Sequence, residues 1–278
     1  MTVKASSSVM SLLLLLLSSW MAPVLGQAPE LPIFDAHIHY NQDDWGALSP
    51  QQALAILEKA GVRQALVSST PDDGTLKLYQ ADAKRVVPFL RPYRTRGDMA
   101  HWHSEPEVQA YVEERLKRGA YRGIGEFHLS AANADRPVIK RCAELAAKQG
   151  IFLHAHVDEV AVEKLLTLYP DVKILWAHAG MSSPVNEVRR IVEGFPRVWV
   201  ELSMRADVAS GGTLNPEWRA LFLKHPDRFM VGTDTWTTSR WDSVVEEARA
   251  TRRWLGQLPR DVAEQIAYRN GERLFGRP

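Results

Sequence analysis

The chain has 278 residues, with 34 basic and 33 acidic side chains and a formal net charge of +1. So even a balance gives no overall attraction for phosphate backbones, and nucleic acid is not an expected partner. Cys142 is the only cysteine, so no intrachain disulfide can form and the fold must be held by packing.

The N-terminus reads as a secretory leader. Lys4 is followed by the unbroken run Leu12 to Leu17, then by apolar and small residues up to Gly26. Cleavage is expected after Gly26, with Ala22 as the alternative, making 1–26 the leader and 27–278 a periplasmic or secreted domain. Ser18 and Ser19 interrupt the apolar stretch, which is short for a stable span. No membrane span is expected once the leader is removed; an uncleaved anchor is the alternative.

Beyond the leader, short apolar runs alternate with amphipathic segments. Strands are expected at Pro32 to His37, Ala65 to Ser68, Val86 to Pro92 and Tyr121 to Glu126. Four more follow at Ile151 to His156, Val172 to His178, Val198 to Ser203 and Phe229 to Asp234. Helices are expected at Pro50 to Ala60, Glu105 to Arg118, Pro137 to Gln149, Val160 to Leu168 and Val185 to Glu193. Ser49-Pro50 places a cap before a first-turn proline, and Ser183-Pro184 repeats the arrangement. Pro216 and Pro259 are further helix openers, and Gly61 is a helix stop. Cys142, among Ala143, Leu145 and Ala146, reads as a buried helix face rather than a nucleophile. Val244 to Leu255 and Asp261 to Leu274 form two closing helices. Continuous apolar strands alternating with helices imply a parallel α/β sheet. Eight such units imply a closed (β/α)8 TIM barrel with extra C-terminal helices. A doubly wound sheet would share the local pattern, but no Gly-x-Gly-x-x-Gly follows the first strand.

Active sites of such barrels lie at the C-terminal ends of the strands. Strand one ends in His37-Ile38-His39, and residues two apart on a strand share a face. Strand four ends in Glu126, with His128 beyond it. Strand five ends in His154-Ala155-His156, strand six in His178 and strand eight in Asp234. Five strand ends rising from apolar residues into imidazole or carboxylate are hard to explain by packing, and these groups suit zinc, manganese or iron.

As a set, these residues resemble the amidohydrolase superfamily of metal-dependent barrel hydrolases. The closing Asn270-Gly271-Glu272-Arg273-Leu274-Phe275-Gly276 resembles the C-terminal helix of its amidohydrolase-related branch. The resemblance implies that His37, His39 and Asp234 hold one divalent ion, and that His154 and His178 hold a second, with Glu126 bridging. Zinc is the first expectation, manganese or iron the alternatives. Many members bridge with a carbamylated lysine, but no lysine occurs between Gly119 and Asn133. Glu126 fills that position, as in TatD-type deoxyribonucleases and some lactonases; a single-ion site, as in the superfamily's decarboxylases, is the alternative. His154 and His156 share a face, and the family pattern selects His154, leaving His156 nearer the substrate. Asp234 is the expected catalytic proton carrier.

Loops after the strands should set specificity. Trp45, Trp102, Trp236 and the arginines Arg91, Arg94, Arg96 and Arg205 suggest a pocket for a small organic carboxylate or ester, with His156, Trp236 and Arg91 as substrate contacts. Glu201 and Ser203 receive no role. The expected function is metal-dependent hydrolysis of a small ester, lactone or amide. Alternatives are a metal-dependent decarboxylase of an aromatic or unsaturated acid, a TatD-like deoxyribonuclease, and a barrel that binds metal or ligand without catalysis.

Overall fold

The computed structural model describes residues 1, 2 and 30–276. The leader assignment therefore lies almost wholly outside the described residues. No helix among them is long and apolar enough to cross a membrane. From Leu31 onward the chain forms one compact unit.

The first half of the chain alternates β1 (Ile33–Ile38), α1 (Pro50–Lys59), β2 (Val62–Ser68), α2 (Asp73–Ala81), β3 (Val86–Leu90), α3 (Pro106–Leu116), β4 (Gly123–His128) and α4 (Pro137–Gln149). The second half runs β5 (Phe152–His156), α5 (Glu159–Leu168), β6 (Lys173–Trp176), α6 (Val185–Gly194) and β7 (Val198–Glu201), then a hairpin of β8 (Ala209–Ser210) and β9 (Thr213–Leu214), α7 (Pro216–Lys224), β10 (Phe229–Met230) and α8 (Val244–Leu255). The chain closes with α9 (Arg260–Glu264), a π-helical stretch over Gln265–Arg269, and α10 (Asn270–Phe275). Strands β1 to β7 and β10 form one parallel sheet in sequence order. Two backbone bonds close it: Ala36 donates to Val231 (2.8 Å) and Asp234 donates to His37 (2.8 Å). The expected TIM barrel with C-terminal helices is the observed architecture. The hairpin and α2 were not foreseen.

Local signals place several boundaries. Ser49 and Gln52 exchange capping bonds ahead of Pro50. Ser183 does not repeat this. Pro184 takes the cap position of α6 and the Ser183 hydroxyl bonds Glu159 instead. Strands six and eight stop short of their expected ends because His178 and Asp234 have φ of 55° and cannot continue an extended chain.

Inside the barrel lies an aromatic and aliphatic cluster that includes Phe34, Ala36, Leu66, Phe89 and Phe152. Phe275 plugs it from α10, its ring 5.7 Å from Phe34 and 5.0 Å from Phe152. Asn270 ties this helix to the eighth strand through the carbonyls of Pro226 and Phe229, both at 2.8 Å. Gly271 follows because a Cβ there would lie 2.1 Å from the Phe34 ring. The helices cover the outer face of the sheet, where Cys142 is buried as expected.

Candidate metal centre

The β1–β2 register slips between Asp35 and Ile38. The slip changes the inward face of β1 from Phe34 and Ala36 to His37 and His39. The two Nε2 atoms converge to 3.1 Å. Glu126 rises from β4 with Oε1 3.6 Å from His37 Nε2 and Oε2 3.3 Å from His39 Nε2. Asp234 Oδ1 stands 3.7 and 3.3 Å from the same two nitrogens. His178 Nε2 lies 3.5 Å from Glu126 Oε1 and 4.0 Å from Asp234 Oδ2. Residues from β1, β4 and the ends of strands six and eight thus meet at one point.

The far nitrogen of each imidazole fixes its orientation. His37 Nδ1 donates to Glu201 Oε2 at 2.9 Å. His39 Nδ1 donates to the Ser68 carbonyl and His178 Nδ1 to the Ser203 carbonyl, the latter at 3.1 Å. With Nδ1 engaged, all three rings turn Nε2 toward the shared point, which is the nitrogen that would ligate a cation. Glu201 also accepts the His178 and Ser203 amides and the Ser203 hydroxyl. Gly232 makes room for it, since a Cβ there would sit 2.4 Å from Glu201 Oε1.

The donor set fits a divalent ion on two counts. Ligand bonds of about 2.0–2.2 Å arranged tetrahedrally put donors roughly 3.3–3.6 Å apart, and the separations above lie around that span. Two buried polar atoms of the cluster also lack a hydrogen-bond partner, His178 Nε2 and Asp234 Oδ1. Such orphans are costly in a low-dielectric interior unless something coordinates them. Electrostatics point the same way. Burial opposes a charged imidazole, yet Asp234, Glu126 and Glu201 outweigh it and raise His37 well above its ordinary pKa. Burial likewise opposes ionisation of Glu126 and Asp234, but His37 and the groups beside it hold both carboxyls well below the usual range. The site draws positive charge into itself.

The remaining expected residues separate. On strand five it is His156 whose Nδ1 reaches Glu126 Oε1, at 2.7 Å. His154 is fully buried against His37 and Phe89, its ring centroid 4.7 Å from that of His37. Burial holds the His154 ring neutral, well below its ordinary pKa. Arg91 is buried too, donating to Glu126 Oε2 (2.7 Å) and to the Glu126 carbonyl (3.2 Å). The other arginines are engaged elsewhere: Arg94 on Asp98, Arg96 on Asp43, and Arg205 on Asp207 and the carbonyls of Ala179 and Ser183. Trp45 lies under Lys77, and Trp102 is buried with its indole N–H on the His128 carbonyl. Only Trp236 of those tryptophans lines the cavity of about 440 Å³ above the ligands, with Arg91, Glu126, His156 and Asp234 on its floor and wall.

A family model described as amidohydrolase matches residues 34–277, nearly all of the described barrel. The chain belongs to the amidohydrolase family. Solved structures agree on the fold. A probable 2-pyrone-4,6-dicarboxylic acid hydrolase from Acinetobacter baumannii aligns with a TM-score of 0.59 at 13% identity, over 88% of this chain and 99% of its own. An amidohydrolase from Burkholderia multivorans, solved with zinc bound, aligns at 0.56 and 16%, over 89% and 100%. The 5-carboxyvanillate decarboxylase from Novosphingobium aromaticivorans, solved with manganese, aligns at 0.57 and 13%, over 88% and 96%. No curated protein matches the chain.

Within this amidohydrolase, Glu201 is the residue that sequence reasoning left without a role. Its signal was present: Val198-Trp199-Val200-Glu201 rises from apolar residues into a carboxylate just as the other functional strands do. Asp35 is a second. It accepts the Thr233 amide and hydroxyl and the His37 amide, tying strand one to strand eight beneath the ligands.

Proposed function

We propose that the protein is an exported, metal-dependent hydrolase of a small ester, lactone or amide. The observation that carries this reading is the double position of Asp234. Its carboxylate meets His37 and His39 on one side and lines the cavity on the other. His37, His39, Asp234 and Glu126, with His178, would hold the ion. Bound there, a divalent ion supplies Lewis acidity, enough to make water a nucleophile near neutral pH and to polarise a carbonyl oxygen.

The chain's own residues do the rest. Asp234 is held ionised, so it can take a proton from attacking water at Oδ and return it to the leaving group. Its left-handed backbone, at φ 55°, fixes where that carboxylate points. Arg91 anchors Glu126 from behind, and His156 stands at the cavity wall within reach of a substrate oxygen. The zinc and manganese of the two structural relatives support a divalent ion of that kind.

The test joins a metal count to turnover. The parent protein should bind divalent metal and hydrolyse some member of an ester, lactone and amide panel. Asp234→Asn should lose about 100- to 10,000-fold in rate, the range for removing a general acid–base group, while still binding metal. Carbon dioxide release from an aromatic acid, without hydrolysis of any panel member, would transfer the assignment to a decarboxylase.

A further inference from the structure

The cavity above the ligands has a polar floor and an unusual rim. Between Leu31 and Gly276 seven large apolar side chains are strongly exposed, and four of them ring this mouth: Met99 (38%), Met181 (40%), Met204 (43%) and Trp236 (47%). They come from four different strand-to-helix connections, so sequence proximity does not explain their meeting. Backbone strain marks two of the four. Only five described non-glycine residues have positive φ: His178, Ala179, Met181, Met204 and Asp234. Met181 sits at φ 60°, ψ −67°, with Ser182 N–H bonded to the Gly180 carbonyl at 2.7 Å, a γ-turn of the strained kind. Glycine would adopt such a conformation at lower cost. A long thioether held there, beside two metal-centre residues held in the same way, marks a position kept for contact.

Charge narrows what the rim can hold. Two cations line the cavity, and each already has an acid: Arg91 on Glu126 and Arg96 on Asp43, both at 2.7 Å. Around the ligands, Glu126, Asp234 and Glu201 stand against Arg91, while Arg240, which donates to the Asp234 carbonyl, is offset by Glu247. One divalent ion would bring that balance to neutrality, leaving no surplus positive charge for an anionic substrate. A carboxylate carried into the methionine rim would lose water without gaining a partner.

Resting on the hydrolase reading above, we infer that the substrate is an uncharged ester, lactone or amide with an apolar body, and that Met99, Met181, Met204 and Trp236 select it. Methionine side chains are flexible and polarisable, so the rim adapts to several apolar shapes rather than fitting one. Specificity then lies against charge, not for a particular ring. This replaces the organic carboxylate that the arginine content of the sequence suggested.

The experiment is a binding measurement on the zinc-loaded protein, with its methionines labelled at the methyl carbon and assigned by single Met→Leu changes. The probes are a phenyl alkyl ketone, which cannot be hydrolysed, and the same ketone bearing a terminal carboxylate. The neutral ketone should move the Met99, Met181 and Met204 signals and bind at least about tenfold more tightly than its carboxylated counterpart, and Met204→Glu should weaken it by a similar factor. Equal or tighter binding of the carboxylated ketone, lost in Arg96→Gln, would overturn the inference; so would failure of both probes to move those methyls. The two readings fail separately. Ketone binding at the rim without turnover of the matching ester removes the hydrolase and keeps the pocket; ester turnover with silent methionines does the reverse.

Discussion

The two ends of the barrel follow opposite rules. At the closed end Phe34, Phe89, Phe152 and Phe275 pack ring against ring, with centroids 5.0–5.7 Å apart and no polar atom among the side chains. At the open end imidazoles and carboxylates are crowded to 2.7–4.0 Å, buried nitrogens lack partners, and ligand residues sit in left-handed backbone. The first arrangement lowers the free energy of the fold by removing apolar surface from water. The second raises it, by gathering like charges and desolvating polar groups. The difference teaches that binding at the open end is supported by stability built at the other.

The comparison breaks most sharply at His37. His37→Ala should abolish metal binding and lower turnover by about a thousandfold or more, the scale expected when metal-assisted activation of water is lost. Thermal stability of the metal-free protein should fall, because the imidazole that offsets three buried carboxylates is removed. Metal analysis and a melting curve on one sample check both halves; unchanged activity would contradict the site. The complementary change is Phe275→Ala. It should cost about 3–5 kcal/mol of unfolding free energy, as for other large buried aromatics, with metal stoichiometry intact at temperatures where the protein is folded. Denaturant titration beside a metal count reads this out, and loss of metal from folded protein would show that the two ends are not independent.

The same division governs what could be read from the sequence. The barrel was legible because eight apolar runs alternate with amphipathic stretches, and burial in a parallel sheet forces that pattern. His37, His39, Glu126, His178 and Asp234 were legible as polar residues ending those runs. The His154–His156 pair was harder, since the register pairs His156 with His128 and only a side-chain contact across an irregular stretch of β4 brings it to Glu126. The turn of β1 that brings His37 inward depends on a slip against β2, which no one-strand periodicity contains. The fate of Arg96 was hidden for a similar reason: Asp43 becomes its partner only once the fold brings the two loops together. Met181 and Met204 carried no signal beyond being apolar residues in loops.

The finest test of the comparison is Glu201→Gln, which keeps shape and changes only what the group can accept. Glu201 receives the His37 ring N–H, the His178 and Ser203 amides and the Ser203 hydroxyl. A carboxylate offers lone pairs in every one of these directions. A carboxamide must point its NH2 at one of those donors. If it meets His37 Nδ1, the ring is driven to the tautomer whose Nε2 carries hydrogen and cannot ligate. Metal affinity should therefore fall about 10- to 100-fold, the usual cost of losing a partner that orients a ligand, while unfolding free energy changes far less than in Phe275→Ala. Competition with a chelator of known affinity measures the first and denaturant titration the second. Wild-type affinity in Glu201→Gln would mean that the His37 tautomer is set by the ion itself, and the open end would then owe its order to binding rather than to the fold.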